Sequence, residues 1–145
     1  MSAKMKVLSV AVAAFVVSQS VNAFAIEPLN MKRVTDEDKI YFATRLTVEQ
    51  VEKLQQVINH QRMRRPPCEK IVDIAKTLKF VKEVHPIFQE ASTSADISSY
   101  ARRYSAAIVK ELDVTTKSFT MILPYYQNAC DTAAASQKEA GLRPD

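Results

Sequence analysis

The chain has 145 residues, with 20 Lys and Arg against 16 Asp and Glu, two cysteines and a single glycine. With Gly141 alone, no phosphate-cradling loop, dinucleotide fingerprint or nucleophile elbow can be built. No strand alternation appears either, and a turn-rich β fold needs more glycine than this. The sequence therefore predicts an all-α protein of about four principal helices, in helical hairpins or a small bundle stapled by one disulfide.

The first 25 residues read as a secretory signal peptide. Lys4 and Lys6 form a positive start, Val7 to Val17 is an apolar run too short to cross a bilayer comfortably, and Ser18 to Ala25 supplies a small-residue cleavage region. Cleavage after Ala25 or after Ala23 fits the rule, and Ala25 is preferred. No later run approaches ~18 apolar residues, so the mature protein is expected in the periplasm, or secreted, with no transmembrane segment. Losing Lys4 and Lys6 from the 20 cations leaves 18 against 16 acids, a net charge near +2. The precursor's pI of about 9.1 therefore overstates any case for nucleic acid, and none is expected as a partner.

Residues 26–34 have no periodicity and are expected to form a flexible arm. Residues 35–136 form the single expected domain. Thr35 precedes three acids that suit the positive end of a helix dipole, giving a short helix from about Asp36 to Arg45 that buries Ile40 and one side of Tyr41, Phe42 and Ala43. Thr47 is the clearest N-cap in the chain: its hydroxyl can accept from the Gln50 amide while Gln50 reaches back, and Leu46 and Val51 stand at hydrophobic-staple spacing. The helix it opens is expected to run to about Arg64, burying Val51, Leu54 and Ile58, and to stop at Pro66-Pro67 because proline disfavours a helical residue before it.

From Glu69 to Val84 a second long helix places Ile71, Ile74, Ala75, Leu78 and Val81 on one face. Phe80 and Val84 fall on another face and are expected as an additional apolar contact. His85-Pro86 breaks the pattern. Ser94 is the expected N-cap of a helix with a clean stripe of Ile97, Tyr100, Ala101, Tyr104, Ala107, Ile108 and Leu112. The β-branched run Val114 to Thr116 marks an expected bend or break. The stripe resumes at Phe119, Ile122, Leu123 and Tyr126, with Pro124 expected to kink the helix or open a new one. Residues 137–145 read as a disordered tail.

Cys68 and Cys130 allow only one intramolecular pairing in an oxidising compartment. Loop-closure entropy over that span is worth roughly 4 kcal/mol. An intermolecular bridge or two free thiols are the alternatives.

Catalytic chemistry is thinly supplied, and neither an enzyme nor a cofactor is expected. His60 and His85 stand at no metal-ligand spacing with a cysteine or an acid cluster, and both read as exposed or capping side chains. Met63 or Met121 with a histidine would be the candidate ligands of a non-covalent haem, but a methionine on an apolar helix face is ordinarily core. Three features remain as binding determinants. The first is the cationic set Arg62, Arg64, Arg65, Lys70, Lys76, Lys79 and Lys82, interrupted only by Glu69 and Asp73. As a solvated face it would merely complement helix dipoles; as a binding surface it favours acidic partners in a salt-sensitive way. The second is the apolar pair Phe80 and Val84. The third is the tyrosine group Tyr100, Tyr104, Tyr125 and Tyr126, suited to a core edge or an interface.

Leu46-Thr47-Val48-Glu49-Gln50 resembles the LTxxQ motif of the Spy/CpxP family of periplasmic stress proteins. A Gln-rich, cationic helix follows and runs into Arg65-Pro66-Pro67, which is similar to the Arg-Pro-Pro step of that family. The family's second motif has a degenerate counterpart in Met121-Ile122-Leu123-Pro124-Tyr125-Tyr126-Gln127, which keeps Leu123 and Gln127 and lacks the threonine. The cysteine pair and the tyrosines around Pro124 depart from the family pattern. The resemblance implies a curved helical homodimer that binds unfolding client proteins without ATP, or an adaptor docking on an envelope-stress sensor. It implies further that the helix bearing Phe80, Val84 and the lysines supplies much of the client surface. Set beside this reading are a dedicated immunity or inhibitor protein for one envelope-acting toxin or enzyme, and a helical small-ligand or haem carrier.

Overall fold

A computed structural model of the protein describes residues 26–59 and 65–139. The expected signal peptide, His60, Arg62, Met63 and Arg64, and the last six residues of the expected tail lie outside them. Four α-helices account for most of the described chain: α1 (Asp36–Ala43), α2 (Val48–Ile58), α3 (Pro67–Ala91) and α4 (Ser99–Glu139), preceded by a single 3-10 turn at Met31–Arg33. The described residues contain no strand. The all-α architecture and the single disulfide expected from the sequence are thus both present.

The frame is an antiparallel hairpin of α3 and α4. At ~1.5 Å per residue the 25 residues of α3 span roughly 37 Å and the 41 of α4 roughly 60 Å. Two cross-links fix their register. Cys68 is bonded to Cys130 near the start of α3, with Cα atoms 4.8 Å apart, and His85 meets Asp113 at 2.9 Å further along. Cys68 lies as far from His85 along α3 as Cys130 lies from Asp113 along α4, so one unbroken helical register joins the two links. Beyond Cys130, α4 overhangs the start of α3, and residues 131–137 are exposed.

Helix α2 lies against this hairpin at its loop end. Val51, Leu54 and Ile58 form one apolar cluster with Phe80, Val81, Val84 and Phe88 of α3 and Ile108 and Leu112 of α4. The capping box opens α2 as the sequence predicts: Gln50 N–H donates to Thr47 Oγ1 at 3.1 Å, and Thr47 N–H donates to Gln50 Oε1 at 3.0 Å. Leu46 and Val51 both join the core. The helix ends at Ile58 with Asn59 as C-cap, short of the expected Arg64, and Arg65 and Pro66 are already non-helical.

Helix α1 is joined to the start of α4 through one buried carboxylate. Asp38, 1% exposed, accepts from the Thr35 amide in a capping box at 3.0 Å. It also accepts from the Ser98 amide at 2.7 Å and the Ser98 hydroxyl at 2.6 Å. Ser98 in turn caps α4, its Oγ accepting from Ala101 N–H. This network moves the helix start from the expected Ser94 to Ser98; the Ser94 hydroxyl instead accepts from the Asp96 amide in the preceding turn. Burial pushes the Asp38 carboxyl up, but the hydrogen bonds from Ser98 and Thr35 outweigh it and hold its pKa below the ordinary 3.8. The inward face of α1 also differs from expectation. Tyr41 is buried beside Asp38, whereas Ile40 is exposed.

At none of the three places where the sequence suggests a break, bend or kink is the helix interrupted. Pro86 and Pro124 both sit inside helices, each exposed. The carbonyls they leave without a helical donor belong to Lys82 and Thr120, which are exposed too, so water can serve them. The β-branched run at 114–116 stays helical, with Thr115 buried and the Thr116 hydroxyl donating to the Leu112 carbonyl at 3.0 Å. Helix α4 then continues past Ser136 to Glu139, through the first residues of the expected tail. Residues 26–34, expected as an arm, make contacts of their own. Ile26 is part of the core cluster, Asn30 N–H donates to Tyr100 Oη at 2.7 Å, and the Arg33 guanidinium lies 4.4 Å from the Tyr100 ring centre.

Candidate binding surface

The hairpin has two unlike halves. In the proximal half, nearest the α3–α4 loop, α2 covers both long helices, and Phe42 stacks on Phe88 with ring centres 5.8 Å apart. In the distal half, toward the disulfide, no described side chain of α4 after Thr115 is buried, and none of α3 before Ile74 is. The apolar stripe of α4 nevertheless continues, so Phe119, Ile122, Leu123 and Tyr126 are only half-buried. On the outer side of α4, about a third of a turn from that stripe, Val114, Met121 and Tyr125 recur at helical spacing. All three are exposed, Met121 at 66% and Tyr125 at 78%. Lys110 and Lys117, also exposed, flank them.

The structure redistributes the residues expected to bind a partner. Phe80 and Val84 are not a surface: they are 6% and 0% exposed in the main cluster, because α2 packs on the second apolar face of α3. Lys53 of α2 places its Nζ 6.0 Å from the Phe80 ring centre. Lys76, Lys79 and Lys82 are exposed along α3 with Val72 in the same stripe, while Lys70 is half-buried. Arg65 turns back on α3, with Nε 2.9 Å from Asp73 and 3.8 Å from Glu69. Such exposed pairs contribute little to stability, yet they occupy a cation otherwise free for an acidic partner.

The two motif positions are not brought together. Leu46 is in the core and Thr47 and Gln50 are engaged in capping. Leu123 and Gln127 lie toward the disulfide, half-buried and exposed respectively. The tyrosines divide likewise: Tyr100 and Tyr104 face each other at 6.1 Å in the proximal half, and Tyr125 and Tyr126 belong to the distal one. His85 is occupied in bridging α3 to α4. Among the described residues, no group of His, Cys, Asp or Glu is placed to hold a metal ion, and no helix is long and apolar enough to cross a membrane.

The exposed apolar line of α4 was hard to find from sequence because Val114, Met121 and Tyr125 are interspersed with Lys110 and Lys117 on the polar side of the helix. Their seven- and four-residue spacing was the available signal. The class these features define is a disulfide-stapled helical hairpin with a third helix packed over one half. The chain matches no protein-family model, no curated protein and no solved structure.

Proposed function

We propose that the protein is a non-enzymatic, protein-binding module of the periplasm or extracellular space, acting as an ATP-independent chaperone or envelope-stress adaptor of the kind the Spy/CpxP resemblance implies. The observation that carries this reading is the exposed apolar line that runs along α4 from Val114 into the distal half at Met121 and Tyr125, beside Lys110 and Lys117. Apolar side chains gathered on one face and rimmed by charge mark interaction surfaces. Here they lie on a continuous helix whose backbone is already ordered, so contact with a partner orders little beyond the side chains themselves. The lysine stripe of α3 favours partners with net negative charge, through a salt-dependent attraction.

Light scattering of a heat-denatured acidic client, with and without an equimolar amount of the mature protein, tests the proposal. Aggregation is suppressed at low salt and less so at high salt. No suppression at low salt contradicts the chaperone reading, and capture of one stoichiometric partner from envelope extract replaces it with a dedicated immunity or inhibitor protein.

A further inference from the structure

We propose that the Cys68–Cys130 disulfide is a reducible latch: an external dithiol releases the distal arms of α3 and α4 from each other while the three-helix half stays folded. Cys68 is exposed and Cys130 half-exposed, so a small thiolate has access to the bond. The noncovalent packing around it is thin. Ile74 is the one buried described side chain in the first two turns of α3, and α4 has none after Thr115. The α3 arm from Pro67 to Lys79 is 13 residues long, a length at which an isolated helix is marginal in water, while the longer α4 arm beyond Thr115 has no buried described side chain to hold it against α3. The covalent link is therefore what keeps these segments paired, whereas the proximal half is held by the cluster of Leu54, Val84, Phe88 and Leu112.

The position of Cys68 favours the reaction. It is the second residue of α3, whose N-cap Pro66 provides no side-chain hydrogen bond. Pro66 and Pro67 carry no N–H, so the first-turn amides left are those of Cys68 and Glu69; with the positive dipole end of the helix they stabilise a thiolate there. A thiolate of the reductant attacks Cys130 Sγ, the S–S bond breaks and Cys68 departs as the thiolate. The second thiol of the reductant loses its proton and attacks its own sulfur in the mixed disulfide, and Cys130 leaves as a thiolate that takes up a proton. The protein disulfide gains two electrons, and the dithiol is oxidised to a cyclic disulfide. Separation of the arms then exposes the sides of Phe119, Ile122, Leu123 and Tyr126 that face α3.

Hydrogen exchange read by mass spectrometry on the intact protein, before and after dithiothreitol, tests this. Amides in 68–76 and 119–136 are expected to exchange at least about tenfold faster after reduction, and those in 80–90 and 101–112 to change less than about twofold. The double variant Cys68→Ser with Cys130→Ser shows the same pattern without reductant, which separates loss of the bond from any other action of the thiol. Unchanged protection in the arms overturns the proposal, and so does equal loss of protection in both halves.

Discussion

Leu112 and Leu123 lie on the same face of the same helix, one fully buried and the other half-exposed. Both continue one apolar stripe, and both face an antiparallel partner in constant register. The difference is the third layer: α2 covers α3 and α4 around Leu112 and its cluster stops there. Helical periodicity thus reports which side of a helix is apolar, while burial depends on what the rest of the chain lays over that side. In this protein the same pattern makes a core in one half and a surface in the other.

The largest expected effect sharpens that contrast. Leu112→Ala should destabilise by about 2–5 kcal/mol, the range for a large-to-small change at a packed site. Leu123→Ala should lose about 1 kcal/mol, because partial burial removes less area from water and leaves no closed cavity. Urea unfolding of the two variants measures the difference, and equal losses would mean that the halves are packed alike.

Asp38→Asn comes next, at about 1–3 kcal/mol, since the amide replaces one carboxylate acceptor by a donor facing the Thr35 amide and the Ser98 hydroxyl. Its pH dependence has a fixed sign. A carboxyl whose folded pKa is lowered contributes fully above the ordinary value of 3.8, and the contribution is lost as pH falls through the lower folded value. The gap between parent and variant should be constant near neutrality and narrow in acid, as followed by thermal unfolding at a series of pH values.

Much of the proximal half was legible in the sequence. Thr47 with Gln50, and the Val51, Leu54 and Ile58 spacing, specify a cap and a face using residues a few positions apart. The start of α4 was not legible, because Ser98 is chosen over Ser94 by a carboxylate sixty residues away on α1. The unbroken courses of α3 and α4 were hidden for a related reason. A proline costs a helix one hydrogen bond and crowds the carbonyl four residues back, and the helix can run on where that carbonyl lies on the solvent side, as at Pro86 and Pro124. The cover over Phe80 and Val84 is likewise a tertiary fact; their sequence shows a second apolar face and not what packs on it. The line of Val114, Met121 and Tyr125 is legible as spacing, and its exposure follows from its place on the side of α4 turned away from the buried stripe, since Val114 is exposed at the level where Leu112 and Thr115 are buried.

The most direct test of the account uses the double variant Met121→Ser with Tyr125→Ser, assayed for both stability and binding. These side chains are exposed, so the thermal midpoint should correspond to a change within about 0.5 kcal/mol of the parent. Suppression of client aggregation at low salt should nevertheless fall several-fold. Undiminished suppression in a variant of unchanged stability would contradict the assignment of binding to the distal arm.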